Sequence, residues 1–462
     1  MEKYDLIIIG GGPGGYEAAL EASKVYGMKV ALVENRELGG TCLNRGCIPT
    51  KTLLHSADIL YELKNHGDVI GLKGLEDAGY DMAALNSRKN DVVEQLVSGI
   101  GSLMKAGKIA VYKGTGTILK RGLVQVSLNE GGTEELEAGN IMIATGSVPS
   151  MPPIPGADSP KVITSDELLD LDHPIDELVI IGGGVIGCEF ASIFNALGTK
   201  VTIIEALPSI IANLDKEIGR SLSMILKKNR GIDIHTGATV TSLREDGEKI
   251  FCCYTEKGAE CEISGDLVLM SVGRRANTEG LVSDDSSDEI KGLEMDRGKI
   301  IVNERFETSV PGIYAIGDVI GGIQLAHVAT AEGRCAVAFM NDAEAPVDLK
   351  YVPSCIYTSP EIASVGISAD EAKEQGLEVV TKKYPMSANG KTVLSLQDRG
   401  FIKVIADKET GRVLGAQMMC ARATDMISQF SQAIVNGLAL DDMARVIYPH
   451  PTFSEGIGES VR

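Results

Sequence analysis

The chain has 462 residues, 44% of them hydrophobic and 23% charged, a globular balance that excludes disorder and fibrous structure. At roughly 100–200 residues per domain, that length predicts three or four domains. A formal net charge of −20 argues against nucleic acid or an anionic membrane as the main partner, because both favour basic patches.

The N-terminal residues Met1–Asp5 lead straight into an apolar run, Leu6–Ile9, with no secretory apolar core and no Arg/Ser-rich transit stretch. A cytoplasmic protein is expected. Runs such as Leu6–Ile9 and Leu178–Ile181 fall far short of the ~20 residues that span a bilayer. Both belong to an internal repeat. Residues 6–34 and 178–205 each read as an apolar run, a glycine cluster, a helix-like stretch and a second apolar run ending in glutamate. Ile, Val and Leu without alternation are what strands buried on both faces require, so each copy predicts a βαβ unit opening a parallel sheet. The predicted fold class is α/β, with two Rossmann-like dinucleotide-binding domains.

The first copy carries Gly10-x-Gly12-x-x-Gly15, with Glu34 closing the second strand. Glycines at that spacing permit a tight turn, close approach of a pyrophosphate, and close helix–strand packing, while the acid reaches a ribose hydroxyl. The second copy repeats this as Gly182-x-Gly184-x-x-Gly187 with Glu205. A carboxylate there repels a 2′-phosphate, which favours NAD over NADP. Two dinucleotide sites in one chain suggest two cofactors that exchange electrons, the arrangement of a flavoprotein oxidoreductase using a nicotinamide.

Between the copies lies Gly39–Lys51, with Cys42 and Cys47. A disulfide needs Cα atoms about 4.4–6.8 Å apart. An extended chain would separate these by ~17 Å and a straight helix by ~7.5 Å. Only a distorted turn at a helix start brings the sulfurs together, and Gly46 and Pro49 suit one. Such a bridge is easily reduced, and a helix N-terminus stabilises thiolates. Two unrelated cysteines or half of a metal site remain alternatives from spacing alone, although no second cysteine pair or histidine cluster completes a zinc site.

Further along, Ser150–Gly156 reads as a proline-rich linker, and residues 283–289 (SDDSSDE) as a solvated loop. From about residue 346 the strand-like runs Phe401–Ile405 and Val413–Met418 precede a helical stretch near 424–438, an α+β domain without its own fingerprint. The other cysteines, Cys188, Cys252, Cys253, Cys261, Cys335, Cys355 and Cys420, read as packing residues, three of them flanking a hairpin turn at Lys257-Gly258. His450, one of six histidines, can accept a thiol proton near neutrality, and Glu455 follows closely enough to orient it.

Cys42-Leu-Asn-Arg-Gly-Cys47-Ile-Pro resembles the redox motif of the class I flavoprotein pyridine nucleotide-disulfide oxidoreductases, in wording nearest their dihydrolipoamide dehydrogenase branch. The similarity runs over essentially the whole chain, through Ile143–Gly146, Leu267–Arg275, Thr308–Val319, Leu325–His327, Tyr357–Gly366 and His450–Glu455. It implies a redox Cys42–Cys47 disulfide, with Cys42 in thiol interchange and Cys47 facing the flavin. It implies His450 as base with Glu455 as its partner, and Lys51 beside the flavin, paired with Glu189. Glu17 holds the same place in the first repeat but is not thereby made catalytic.

The cofactors implied are FAD and NAD, with no metal. FAD contacts would come from Gly10, Gly12, Gly15, Glu34, Lys51, Thr145, Gly146, Asp318 and Ala326. NAD contacts would come from Gly182, Gly184, Gly187 and Glu205, and Gly114, Val240 and Gly273 join the cofactor contacts. The implied domains are FAD-binding (1–149, with the redox disulfide), NAD-binding (150–276), central (277–346, completing the FAD site) and interface (347–462).

Because the family's His reaches the disulfide of the other subunit, a homodimer follows. The expected partner is a lipoyl-bearing protein of a 2-oxo acid dehydrogenase complex or a glycine cleavage carrier. The expected reaction is oxidation of its dihydrolipoyl groups with reduction of NAD⁺. Alternatives are another NADH-dependent disulfide reductase or diaphorase of the family, or a mainly architectural docking subunit. Glutathione-type reductases carry NADP-selecting arginines where this chain has Glu205-Ala206. Mercuric and large thioredoxin reductases add a C-terminal redox pair that Ser454–Arg462 lacks. Two positions depart from the pattern: Arg45 stands where a small apolar residue is usual, and Ala421–Met426 offers Asp425 where a glutamate is common.

Overall fold

The computed structural model describes residues 2–75, 77–397 and 400–462. It divides into two compact units, one of Met1–Thr52, Asn86–Ser150 and Gly273–Leu349, the other of Leu53–Leu85, Met151–Val272 and Lys350–Arg462.

In the first unit, strand Glu2–Ile9 has parallel neighbours on both sides: Leu6 pairs with Val30 and Ile7 with Ile141. Parallel pairing continues outward from 30–34 to 110–113 and from 136–143 to 313–315. Alternate side chains feed two cores. Ile7, Ile9, Val33 and Ile141 enter one, and Leu6, Ile8, Leu32 and Met142 the other. Helices Pro13–Lys24 and Ala326–Met340 cover the second face through Ala18, Ala22, Ala336 and Val337. Apolar residues without alternation are required because both faces are covered. The outer part of strand Ala110–Lys120 joins Leu123–Leu128 and Thr133–Ile143 in an antiparallel meander.

Residues 283–289 are only in part the solvated loop expected of them: Asp284, Asp285, Asp288 and Glu289 are exposed, but the serines dock. Ser286 is buried, its hydroxyl donates to the Ile118 carbonyl at 2.7 Å, and the Ser287 amide donates to the Leu119 carbonyl at 2.7 Å. Residues Asp288–Lys291 then form a helical turn that seats Ile290 in the core. Serine can satisfy its own polar group by bonding a strand's carbonyl, so an acidic, serine-rich stretch can still dock.

The second unit repeats the plan. Parallel strands run in the order 233–236, 200–205, 177–181, 267–270, 162–163, with helix Val185–Ala196 following the glycine cluster. An antiparallel sheet of Ala238–Asp246, Lys249–Glu256 and Ala259–Gly265 adjoins it. The unit's C-terminal part is a five-stranded antiparallel sheet, in the order 354–356, 362–366, 413–419, 401–407, 379–385. Helices Ala423–Val435 and Glu455–Val461 pack on it through Ile427, Phe430 and Ile457. The molecule is thus α/β, with two Rossmann-like halves and an α+β C-terminal domain. No helix among the described residues is long and apolar enough to cross a membrane.

One buried charge cluster holds this second unit together. Lys403 Nζ lies 3.1 Å from Asp215 Oδ2 and 2.7 Å from Glu217 Oε2, with Lys403 8% and Asp215 7% exposed. Removing one member of a buried pair leaves the other charge uncompensated, which typically costs about 3–5 kcal/mol. Lys403→Ala is therefore expected to lower the urea midpoint sharply. Lys3→Ala, at an ion pair whose side chains are 81% and 41% exposed, is expected to leave it nearly unchanged.

Candidate active site

The two glycine fingerprints fold alike. Gly10 and Gly182 adopt φ of 111° and 108°, a region that favours glycine. At Gly15 a Cβ would sit 1.9 Å from the Gly10 carbonyl oxygen, and at Gly187 2.0 Å from that of Gly182. Gly12 and Gly184 precede the helices, whose N-termini carry no side-chain cap; a Cβ at Gly184 would meet nothing within 4 Å. Each fingerprint acid is held by backbone. Glu34 accepts from the Gly11 amide at 2.7 Å, and Glu205 from the Gly183 amide at 2.6 Å and the Leu207 amide at 2.6 Å.

The cysteines sit at a break between helices. Helix Gly40–Arg45 ends at Gly46, whose φ of −144° and ψ of −112° leave the helical region, and helix Cys47–His66 begins directly after it. Cys42 and Cys47 face each other across this break, near disulfide distance, with a hydrogen bond between them. That bond, and burial, push the Cys42 thiol pKa well up, while the Lys51 charge pulls it down. Lys51, one turn beyond Cys47, belongs to the first unit; Glu189 belongs to the second. There Glu189 is buried and accepts from the Tyr357 amide at 3.0 Å.

Asp318 stands in a short 3-10 turn, Gly317–Ile320, and accepts from the Ser147 hydroxyl at 2.5 Å. Arg274 donates to that hydroxyl and to the Ser147 carbonyl, both at 2.8 Å. Thr145 Oγ1 donates to the Asn277 carbonyl at 2.6 Å, and Gly146, with φ of 71°, accepts from the Asn277 amide. Ala326 opens its helix. Gly114 lies in a strand where a Cβ would strike the Ser127 carbonyl, Val240 at a bulge, and Gly273 where its carbonyl accepts from the Ser150 amide.

Sequence reasoning missed Ser147, Arg274 and Glu332. The Glu332 carboxylate accepts from the Gly317 amide at 2.7 Å. Burial raises its pKa from 4.5 to about 7, the Gly317 amide opposes the rise, and Asp318 adds to it. The folded protein then holds this proton longer than the unfolded chain does. The resulting stability is full below pH 4.5 and is lost as pH rises through about 7. Glu332→Gln is expected to flatten that decline, read as urea midpoints at pH 5 and pH 8.

In the second unit, His450 Nδ1 lies 2.9 Å from Glu455 Oε1, and the Thr452 amide donates to Glu455 Oε2 at 2.9 Å. The Thr452 amide first, and His450 next, hold the Glu455 carboxyl below its ordinary range. A carboxylate at Nδ1 fixes the proton there and leaves Nε2 as the proton acceptor. The imidazole is exposed. A cleft of about 390 Å³ alongside is lined by Pro451–Ser454, Lys391, Arg422 and Asp425, and Asp425 pairs with Arg422 at 3.5 Å.

Cys188, Cys252, Cys335 and Cys420 are buried, and Cys253, Cys261 and Cys355 are partly so. Among the described residues, no group of three or more His, Cys, Asp or Glu side chains is placed to hold a metal ion.

Residues 4–333 match the pyridine nucleotide-disulphide oxidoreductase family, and residues 352–461 match that family's dimerisation domain. A dihydrolipoyl dehydrogenase of Bacillus subtilis (strain 168) is 41% identical, over 99% of this chain and 97% of its own. The HOCl-induced flavoprotein disulfide reductase RclA of Escherichia coli, solved as a Cu(II) complex, superposes with a TM-score of 0.88 at 30% identity, covering 100% of this chain and 99% of its own. LpdA of Mycobacterium tuberculosis superposes with a TM-score of 0.91 at 26% identity, covering 100% and 99%. The chain belongs to the pyridine nucleotide-disulphide oxidoreductase family. It is an oxidoreductase of a family that uses FAD and a nicotinamide nucleotide, and its dimerisation domain supports a homodimer.

Proposed function

We propose that this family member is a homodimeric dihydrolipoyl dehydrogenase that oxidises protein-bound dihydrolipoyl groups and reduces NAD⁺. The observation that carries the reading is the pair Cys42 and Cys47, brought near disulfide distance across the Gly46 break at a helix start. Relatives called dihydrolipoyl dehydrogenase, about 40% identical over nearly the full chain, support it.

On this reading the oxidised enzyme carries a Cys42–Cys47 disulfide. His450 Nε2, reaching the disulfide of the other subunit in the homodimer, takes a proton from a dihydrolipoyl thiol, and Glu455 stabilises the charged ring. The thiolate attacks Cys42 Sγ, the Cys42–Cys47 bond breaks, and a mixed disulfide forms. The second lipoyl sulfur then displaces Cys42, so the lipoyl group leaves oxidised and the two cysteines stay reduced. Bound FAD supplies the two-electron relay between this dithiol and the nicotinamide.

The residues fit such cofactors. Gly10, Gly12, Gly15, Glu34, Lys51, Gly114, Thr145, Gly146, Asp318 and Ala326 would hold FAD, and the helix start after Gly12, with no side-chain cap, suits a pyrophosphate. Gly182, Gly184, Gly187, Glu205, Val240 and Gly273 would hold NAD. Glu205, with its carboxylate fixed by two amides, would repel a 2′-phosphate. The division at 149, 276 and 346 into FAD-binding, NAD-binding, central and interface segments is part of the same proposal. So is docking on a lipoyl carrier of a 2-oxo acid dehydrogenase complex or glycine cleavage system.

Likeness to RclA favours a second reading, a disulfide reductase acting on another substrate. Turnover with dihydrolipoamide, glutathione disulfide and a free quinone, each with NAD and NADP nucleotides, separates the two. Fastest turnover of dihydrolipoamide with NAD⁺ is expected. Faster reduction of glutathione disulfide, or a preference for NADP, overturns the first reading.

A further inference from the structure

Arg45 lies between the two cysteines, and its surroundings give it a role its charge alone does not suggest. Arg45 Nη2 is 2.7 Å from Glu37 Oε2, with the two side chains 27% and 52% exposed. Its neighbour Asn44 donates from Nδ2 to the Leu38 carbonyl at 3.0 Å and the Gly40 carbonyl at 2.9 Å. Asn44 and Arg45, two of the four residues enclosed by the cysteines, therefore reach back onto residues 37–40. That stretch is itself fastened to the glycine fingerprint, because the Gly39 amide donates to the Gly11 carbonyl at 2.8 Å.

We propose that Arg45, through its ion pair with Glu37, is a positioning residue that keeps the Cys42–Cys47 loop in the shape that brings the two sulfurs near disulfide distance. Closing the disulfide forms one S–S bond and releases two electrons and two protons. Two thiols already held together close more readily than two thiols on a loose loop, as any preorganised intramolecular reaction does. The tie thus favours the disulfide. A guanidinium acting by charge alone would do the opposite, since it stabilises thiolates and so the reduced pair. The two roles predict opposite signs on removal of Arg45, and Glu37 already offsets much of its charge.

The test equilibrates the full-length holoenzyme with dithiothreitol and its cyclic disulfide, which exchange the electron pair with Cys42 and Cys47. Samples are acid-quenched and alkylated, and the peptide carrying both cysteines is weighed. Arg45→Met and Glu37→Gln are each expected to shift the equilibrium toward the dithiol by roughly two- to five-fold, the size of a partly exposed ion pair. The double variant Arg45→Glu/Glu37→Arg is expected to restore it, a rescue that mere loss of structure would not give.

An unmoved equilibrium in Arg45→Met, or a shift toward the disulfide, overturns the proposal. So does failure of the charge-swapped pair to restore it. This inference rests on reading Cys42 and Cys47 as the redox pair, and failure of that reading is separately visible: the unmodified enzyme would then form no Cys42–Cys47 disulfide at any ratio of the redox buffer.

Discussion

Cys42→Ser is expected to abolish dihydrolipoamide-dependent NADH formation, with a loss of at least about 10³-fold, while the protein keeps its flavin. The serine oxygen cannot be the electrophilic end of a disulfide, so the lipoyl thiolate has nothing to attack. The structure gives no reason for the flavin to leave. Cys42 lies on the short helix Gly40–Arg45, and replacing its sulfur leaves the bond from the Gly11 amide to Glu34 in the fingerprint loop untouched. The measurement pairs steady-state turnover with the visible flavin spectrum of the purified variant. Retained lipoamide turnover sinks the proposed chemistry. His450→Gln should leave measurable turnover, lowered by about 10²–10⁴-fold, because it removes a proton acceptor and leaves the sulfur chemistry available.

Gly15→Ala and Gly187→Ala are expected to separate the two cofactors. A Cβ at Gly15 would lie 1.9 Å from the Gly10 carbonyl oxygen, and one at Gly187 2.0 Å from that of Gly182. Both obstacles are backbone, which cannot rotate aside as a side chain can, so the glycine cluster must shift away from the phosphates it would cradle. Gly15→Ala should yield protein purified largely without flavin. Gly187→Ala should retain flavin and raise the KM for NAD⁺ by about tenfold or more, with most of the loss in kcat/KM carried by that term. Loss of flavin from Gly187→Ala, with Gly15→Ala fully loaded, would reverse the assignment of the two repeats.

Much of the site was readable from local spacing. The fingerprints, the acids at Glu34 and Glu205, and the helix break between Cys42 and Cys47 all depend on residues close in the chain. Local stereochemistry governs them: a turn needs glycine where φ is positive, and five residues can bring two sulfurs together in few ways. His450 and Glu455 fall under the same logic, five positions apart. The serine-rich run at 283–289 misled for the complementary reason. Its composition is that of a solvated loop, yet Ser286 is buried because the distant Ile118 offers an acceptor.

What the sequence by itself determined is the doubled βαβ plan, the Cys42–Cys47 spacing and the family. Unalternated apolar runs and glycine placement act within a few residues and need no partner to be recognised. What only the tertiary structure decided is which polar groups meet. Ser147 and Asp318 bond across 171 positions, and Lys403 and Asp215 across 188. The raised pKa of Glu332 and the tie of Arg45 to Glu37 likewise come from the folded surroundings. A charge or hydroxyl carries no periodic signal of its partner; burial and pairing are set by strands and helices that the chain brings together only on folding.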